Sequence, residues 1–127
     1  MNVFFHDTEV SPYIKYHDRY NYDQLENIMN ETDVVITPSI WYETFGYTVL
    51  EALSYGVPVI VSDHVGAKDI IPDGAGLEFS NTNELLNILK NVSSESLKEM
   101  NKVIINRAKI KRESEMCMEI INCGYQK

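Results

Sequence analysis

The most constraining feature of this sequence is a double change of hydrophobic period in its middle third. Asp33-Val34-Val35-Ile36-Thr37-Pro38-Ser39 begins as an unbroken β-branched run, the pattern of a strand covered on both faces in a parallel sheet, and Pro38 ends it. From Phe45 to Tyr55 the period becomes helical, with Phe45, Val49, Ala52 and Leu53 on one face and Gly56 as a C-terminal stop. Val57-Pro58-Val59-Ile60-Val61-Ser62 then reads as a second buried strand, with Pro58 tolerable near its start. Strand, helix and strand with connections this short predict parallel pairing through a crossover helix, which is an α/β, Rossmann-like architecture.

The flanks extend the same pattern. Val3 to Phe5 is a short apolar run that predicts a buried strand, and His6 to Asn21 is polar and aromatic-rich without periodicity, as in a loop. From Tyr22 the spacing of Leu25, Ile28 and Met29 is helical as far as Asn30 to Thr32. Gly66 to Ile71 predicts a short helix, stopped by Pro72 and the turn-rich Asp73-Gly74-Ala75-Gly76, and Leu77-Glu78-Phe79 a third strand. Thr82 to Val92 and Ser94 to about Lys111 predict helices, the second with Leu97, Met100, Ile104 and Ala108 on one stripe, continuing through Met116 and Ile120.

A chain of 127 residues has room for one domain, 1–127, so a second lobe is expected to come from elsewhere. The last helices, about 94–121, are expected to pack on this domain or on that lobe. Eleven Lys and Arg against nineteen Asp and Glu give a net charge of -8, which opposes long-range attraction to nucleic acid or to an anionic membrane. There is no run of about 18 apolar residues and no basic-then-apolar start, so a cytoplasmic location is expected. His6, His17 and His64 are isolated from one another and from Cys117 and Cys123, which predicts no metal site and two reduced thiols.

Parallel α/β sheets bind ligands beyond the C-terminal ends of their strands, which directs attention to the segment from Ser39 to Glu51. A helix start offers unpaired backbone N–H groups and a partial positive charge, which suit a phosphate. Gly46 predicts close approach of a ligand to the backbone, and the amides of Gly46, Tyr47 and Thr48 are candidates for holding a diphosphate without a side-chain cation. Glu43 precedes the helix, and Glu51 lies eight residues later on the same side as Tyr47 and Thr48. Carboxylates accept hydrogen bonds from hydroxyls, so Glu51 can grip a ribose and Glu43 a sugar on opposite sides of that diphosphate. Glu51 stands between Leu50 and Ala52-Leu53, where an unpaired carboxylate would be costly. Among the remaining polar residues, His64 lies just past a strand end, Lys68 reads as a solvated surface lysine with the charge to meet a phosphate as the alternative, and Tyr13, Tyr16, Tyr20 and Tyr22 read as a loop covering exposed sheet, none of them assigned to the nucleotide.

The register Glu43, Phe45, Gly46, Glu51, with Pro38-Ser39 ahead and Glu51-Ala52, Gly56, Pro58-Val59-Ile60 and Ser62 behind, resembles the retaining glycosyltransferases of the GT-B fold classed as family 4. The resemblance spans about Asp33 to Phe79. It implies the C-terminal, donor-binding lobe of such an enzyme, incomplete at its N-terminus. Glu43 would then be the catalytic carboxylate that contacts the donor sugar in an electrostatic and positional role, and Phe45, Gly46, Tyr47, Thr48 and Glu51 the donor-binding set. The resemblance further implies a nucleotide diphosphate sugar as donor, no cofactor or metal, a hexosyl-type transfer in polysaccharide biosynthesis, and an N-terminal lobe that binds the acceptor, including a membrane-associated one. The family's diphosphate-holding Arg and Lys lie upstream of the region present, so the 127 residues alone are expected to be inactive. Where the family has Gly-Gly and then Glu, this chain has Gly66-Ala67 and then Asp69. The alternatives are a non-catalytic nucleotide-sugar-binding or interaction module, and a related GT-B epimerase or phosphorylase, since fold alone does not determine the reaction.

Overall fold

The computed structural model describes residues 12–44 and 46–107. Its centre is a parallel sheet of β1 (Val35–Thr37), β2 (Val59–Ser62) and β3 (Gly76–Phe79), in that order, with Val35 opposite Val59 and Val59 opposite Gly76. Around it stand α1 (Leu25–Asn30), α2 (Tyr47–Ser54), α3 (Thr82–Asn91) and α4 (Ser94–Arg107), with one-turn 3₁₀ segments at Tyr22–Gln24 and Gly66–Ile70. The chain is therefore an α/β, Rossmann-like domain, as the change of period predicts. The expected strand at Val3 to Phe5 and the helix continuing through Met116 and Ile120 lie outside the described residues, as do Ala108, Cys117 and Cys123.

β2 is the central strand because all four of its residues are buried. Val59 and Val61 face the cluster formed by Val49, Ala52 and Leu53 of α2, Leu25 and Met29 of α1, and Ile104 of α4. Ile60 points to the other face by strand alternation and is also buried, so apolar surface leaves water on both sides. Each such side chain contributes about 1.5–3 kcal/mol, which is what holds the neighbouring loops in register.

β1 departs from expectation. Its run predicts burial on both faces, yet Ile36 is 37% exposed and the strand alternates between half-buried and exposed. Among the described residues β1 pairs with β2 alone, and β-branched composition reports strand propensity without reporting how many layers cover the strand.

α2 ends where Gly56 takes φ +76°, a conformation costly to L-residues. The amide of Val57 donates to the Ala52 carbonyl at 2.9 Å and that of Gly56 to Leu53 at 3.0 Å, closing the helix with the paired bonds of a Schellman turn. The Asn101 side chain donates to the Gly56 carbonyl at 2.7 Å and ties α4 to the same turn. A Cβ on Gly56 would stand 2.9 Å from Asn101 Nδ2. Gly56→Ala is accordingly expected to cost about 1–3 kcal/mol, the left-handed penalty plus this contact, and urea unfolding of the two chains measures it. A loss under about 0.5 kcal/mol would mean that the turn relaxes without consequence.

Candidate functional site

The loop from Pro38 to Gly46 leaves the C-terminal end of β1 and is clamped to the loop that leaves β2. Ser62, the last residue of β2 and only 4% exposed, donates its hydroxyl to the Ser39 carbonyl at 2.6 Å. Ser39 in turn donates its hydroxyl to Glu43 Oε1 at 2.5 Å. Further along, the Glu43 amide donates to the His64 carbonyl and the Gly66 amide donates to the Glu43 carbonyl, both at 3.0 Å, forming a parallel bridge with Val65. The Glu43 side chain is exposed, but its backbone is thus stitched through both its amide and its carbonyl to the loop that leaves β2.

α2 begins at Tyr47, two residues later than the periodicity predicts, with Gly46 as its N-cap. The first helical bonds run from the amides of Val49 and Leu50 to the Gly46 carbonyl at 3.1 and 3.3 Å, so the amides of Gly46, Tyr47 and Thr48 stand ahead of the ladder. Gly46 itself is buried. A Cβ there would lie 3.3 Å from both Val65 Cγ1 and Ala67 Cβ, so its smallness serves the contact between the two loops. Phe45 lies outside the described residues.

Glu51 sits one turn after Tyr47 and Thr48 on the same face of α2, opposite buried Val49, Ala52 and Leu53. It is half-buried and has a partner: the Tyr20 hydroxyl donates to Glu51 Oε2 at 3.2 Å. The cost of an unpaired carboxylate is thereby avoided. Burial, and then the adjacent Glu51 charge, push the Tyr20 phenol above its ordinary value, so it remains a neutral donor at physiological pH. Tyr20 is the site residue that sequence reasoning passed over. It stands 31 positions from Glu51 among four tyrosines, and no local pattern separates it from the others.

The structure gives Lys68 and His64 other engagements. Lys68 Nζ donates to the Asp63 carbonyl at 3.1 Å and approaches Glu78 Oε1 at 3.5 Å, so its charge is used between the loop after β2 and the strand β3. His64 Nδ1 is 2.6 Å from Asp63 Oδ1, and its ring packs on Tyr42 with centroids 4.6 Å apart. Ile40, Trp41 and Tyr42 are exposed at the tip of the loop that carries Glu43. A cavity of ≈ 440 Å³ opens at the opposite end of the sheet, lined by Asp33, Gly56, Pro58 and Asn101 among others. It lies before the strands begin, remote from the start of α2, and has no part in the arrangement of Glu43 and Glu51. Among the described residues no three His, Cys, Asp or Glu side chains converge as a metal site, and no helix is long and apolar enough to cross a membrane.

Comparison with known proteins shows to which family the chain is related. An uncharacterized glycosyltransferase of Methanocaldococcus jannaschii is 45% identical over 51 residues, 40% of this chain and 13% of its own length. An uncharacterized 41.2 kDa protein in the cps region of Klebsiella pneumoniae is 37% identical over 62 residues, covering 46% of this chain and 17% of that protein. Sucrose synthase 6 of Arabidopsis thaliana is 37% identical over 57 residues, 45% of this chain and 6% of the enzyme. The match thus spans well under a fifth of each of these relatives. No solved structure matches the chain. The family described as glycosyl transferases group 1 matches residues 5–111, which takes in the whole sheet, both clamped loops and the two glutamates. A family match over most of the sequence, on a chain whose centre is a parallel α/β sheet, establishes that this chain belongs to the glycosyl transferases group 1 family.

Proposed function

We propose that this chain is the donor-binding lobe of a retaining glycosyltransferase of the family 4 type, taking a nucleotide diphosphate sugar and acting in the cytoplasm with an acceptor-binding lobe. The observation that carries the reading is the placement of Glu43 and Glu51 on either side of the α2 N-terminus, at the C-terminal edge of a parallel sheet. The amides of Gly46, Tyr47 and Thr48 hold the diphosphate, with the helix dipole supplying the positive field. Glu51 accepts from the ribose hydroxyls on one side.

On the other side Glu43 contacts the donor sugar. As the glycosidic bond to phosphate lengthens, positive charge grows at the anomeric carbon, and a fixed carboxylate stabilises it without forming a covalent bond. Ser39 donates to one oxygen of Glu43 and so orients the carboxylate, while the backbone bridge to the β2 loop holds it at a constant distance from α2. The acceptor, a hydroxyl-bearing molecule that includes the membrane-associated class, comes from the second lobe, and the sugar transferred is of hexosyl type. No metal or cofactor is required in this scheme.

Calorimetric titration with UDP, GDP and ADP tests the donor site. One nucleotide is expected to bind, and Glu51→Ala is expected to weaken it by about 1–3 kcal/mol, the loss of a charged hydrogen-bond partner. Equal binding by parent and variant would remove Glu51 from the site.

A further inference from the structure

We propose that Tyr20 is a positioning residue for the ribose subsite: its hydroxyl holds the Glu51 carboxylate by one oxygen so that the other is presented to the paired hydroxyls of a nucleotide ribose. This rests on the donor-site reading of Glu51 given above. The contact is from Tyr20 Oη to Glu51 Oε2, at 3.2 Å, and it joins two elements that are 31 residues apart.

Glu51 is flexible by its own chemistry, with three side-chain torsions and a half-exposed position on α2. Tyr20 is anchored. The next residue, Asn21, donates its amide to Gln24 Oε1 at 2.9 Å, and Gln24 donates its amide back to the Asn21 carbonyl at 2.9 Å. That reciprocal turn leads directly into Leu25, which is 1% exposed and belongs to the core cluster. The backbone next to Tyr20 is therefore tied to the core of the domain, and from it the phenol reaches a carboxylate whose own side chain has several torsions.

The chemical type of the partner matters. A guanidinium would bind both carboxylate oxygens in a fork and cancel the charge. A phenol gives one proton to one oxygen and leaves Glu51 negative, with Oε1 available to a diol that needs an acceptor. Burial and then the adjacent Glu51 charge push the Tyr20 phenol above its ordinary value, which keeps the proton on the phenol.

The test compares binding of UDP, GDP and ADP with binding of their 2′-deoxy counterparts by the full chain, in the parent, Tyr20→Phe, Glu51→Gln and the double variant. Tyr20→Phe removes one oxygen from a side chain that is 44% exposed, and thermal unfolding of each variant confirms that the fold is kept. The expected result is about a tenfold loss of affinity for the ribonucleotide with little change for the 2′-deoxy form, so that discrimination between them collapses. The double variant is expected to bind no more weakly than Glu51→Gln alone, because Tyr20 acts through Glu51. Parental discrimination in Tyr20→Phe, or equal losses for both sugars, overturns the proposal. If Glu51→Gln weakens ribonucleotide binding while Tyr20→Phe does not, the proposal falls and the donor site stands. If the parent binds no nucleotide, or Glu51→Gln binds as the parent does, both fall together.

Discussion

Substituting Gly66 by Ala is expected to displace Glu43 and to lower sugar transfer about a hundredfold. A Cβ at this position would stand 2.5 Å from the Glu43 carbonyl oxygen and 2.7 Å from that of Thr44. Both are backbone atoms, so no side chain can rotate out of the way. Either Gly66 or the Glu43 loop must move, and the 3.0 Å bond from the Gly66 amide to the Glu43 carbonyl is lost or lengthened. A shift of about 1 Å in a group that must meet the reacting carbon costs about 10²-fold in rate. The overpacking also destabilises the domain by about 1–3 kcal/mol. Kinetics of transfer by an active form carrying both lobes, with a thermal melt of the same sample, separates these effects. Parental kinetics would show that the bridge between the two loops does not position Glu43.

Glu43→Ala is expected to lower kcat by about 10²–10³-fold, the usual consequence of removing one preorganised electrostatic group from a transition state. Stability should change by less than about 0.5 kcal/mol, because the Glu43 side chain is exposed and its backbone bonds to His64 and Gly66 do not depend on the carboxylate. Donor affinity should fall less than kcat, since in the proposed role the carboxylate acts on charge that develops during the reaction. Steady-state kinetics against donor concentration decides the matter: a kcat within twofold of the parent would exclude an electrostatic role. The contrast with Gly66→Ala is informative, because that change keeps the carboxylate and shifts where it stands.

Much of this domain was legible in the sequence where the cause is local. The stop of α2 at Gly56 follows from the one residue type that takes φ +76° without strain, and the strand β2 follows from an apolar run too short for a buried helix. The order of Glu43, helix start and Glu51 was legible because spacing along the chain puts one carboxylate ahead of α2 and the other one turn inside it. Misreadings arose where the cause is distant. The composition of β1 matched a doubly covered strand, but coverage is a property of neighbours, and Ile36 is exposed. Gly46 packs against Val65 and Ala67, some twenty residues further along, a contact that no local pattern announces. Lys68 reaches the Asp63 carbonyl and Glu78 of β3, which its place in a short turn does not reveal.

The sequence by itself determined the class of fold, the order of the elements and the two carboxylates on either side of a helix start, because periodicity, glycine conformation and helical spacing act over a few residues. Only the tertiary structure decided that Glu43 is stitched to the β2 loop through His64 and Gly66, and that Glu51 is held by a tyrosine from the far side of the chain. Those contacts depend on where a parallel sheet brings its strand ends together. That meeting arises from packing of the whole core, and no short stretch of sequence encodes it.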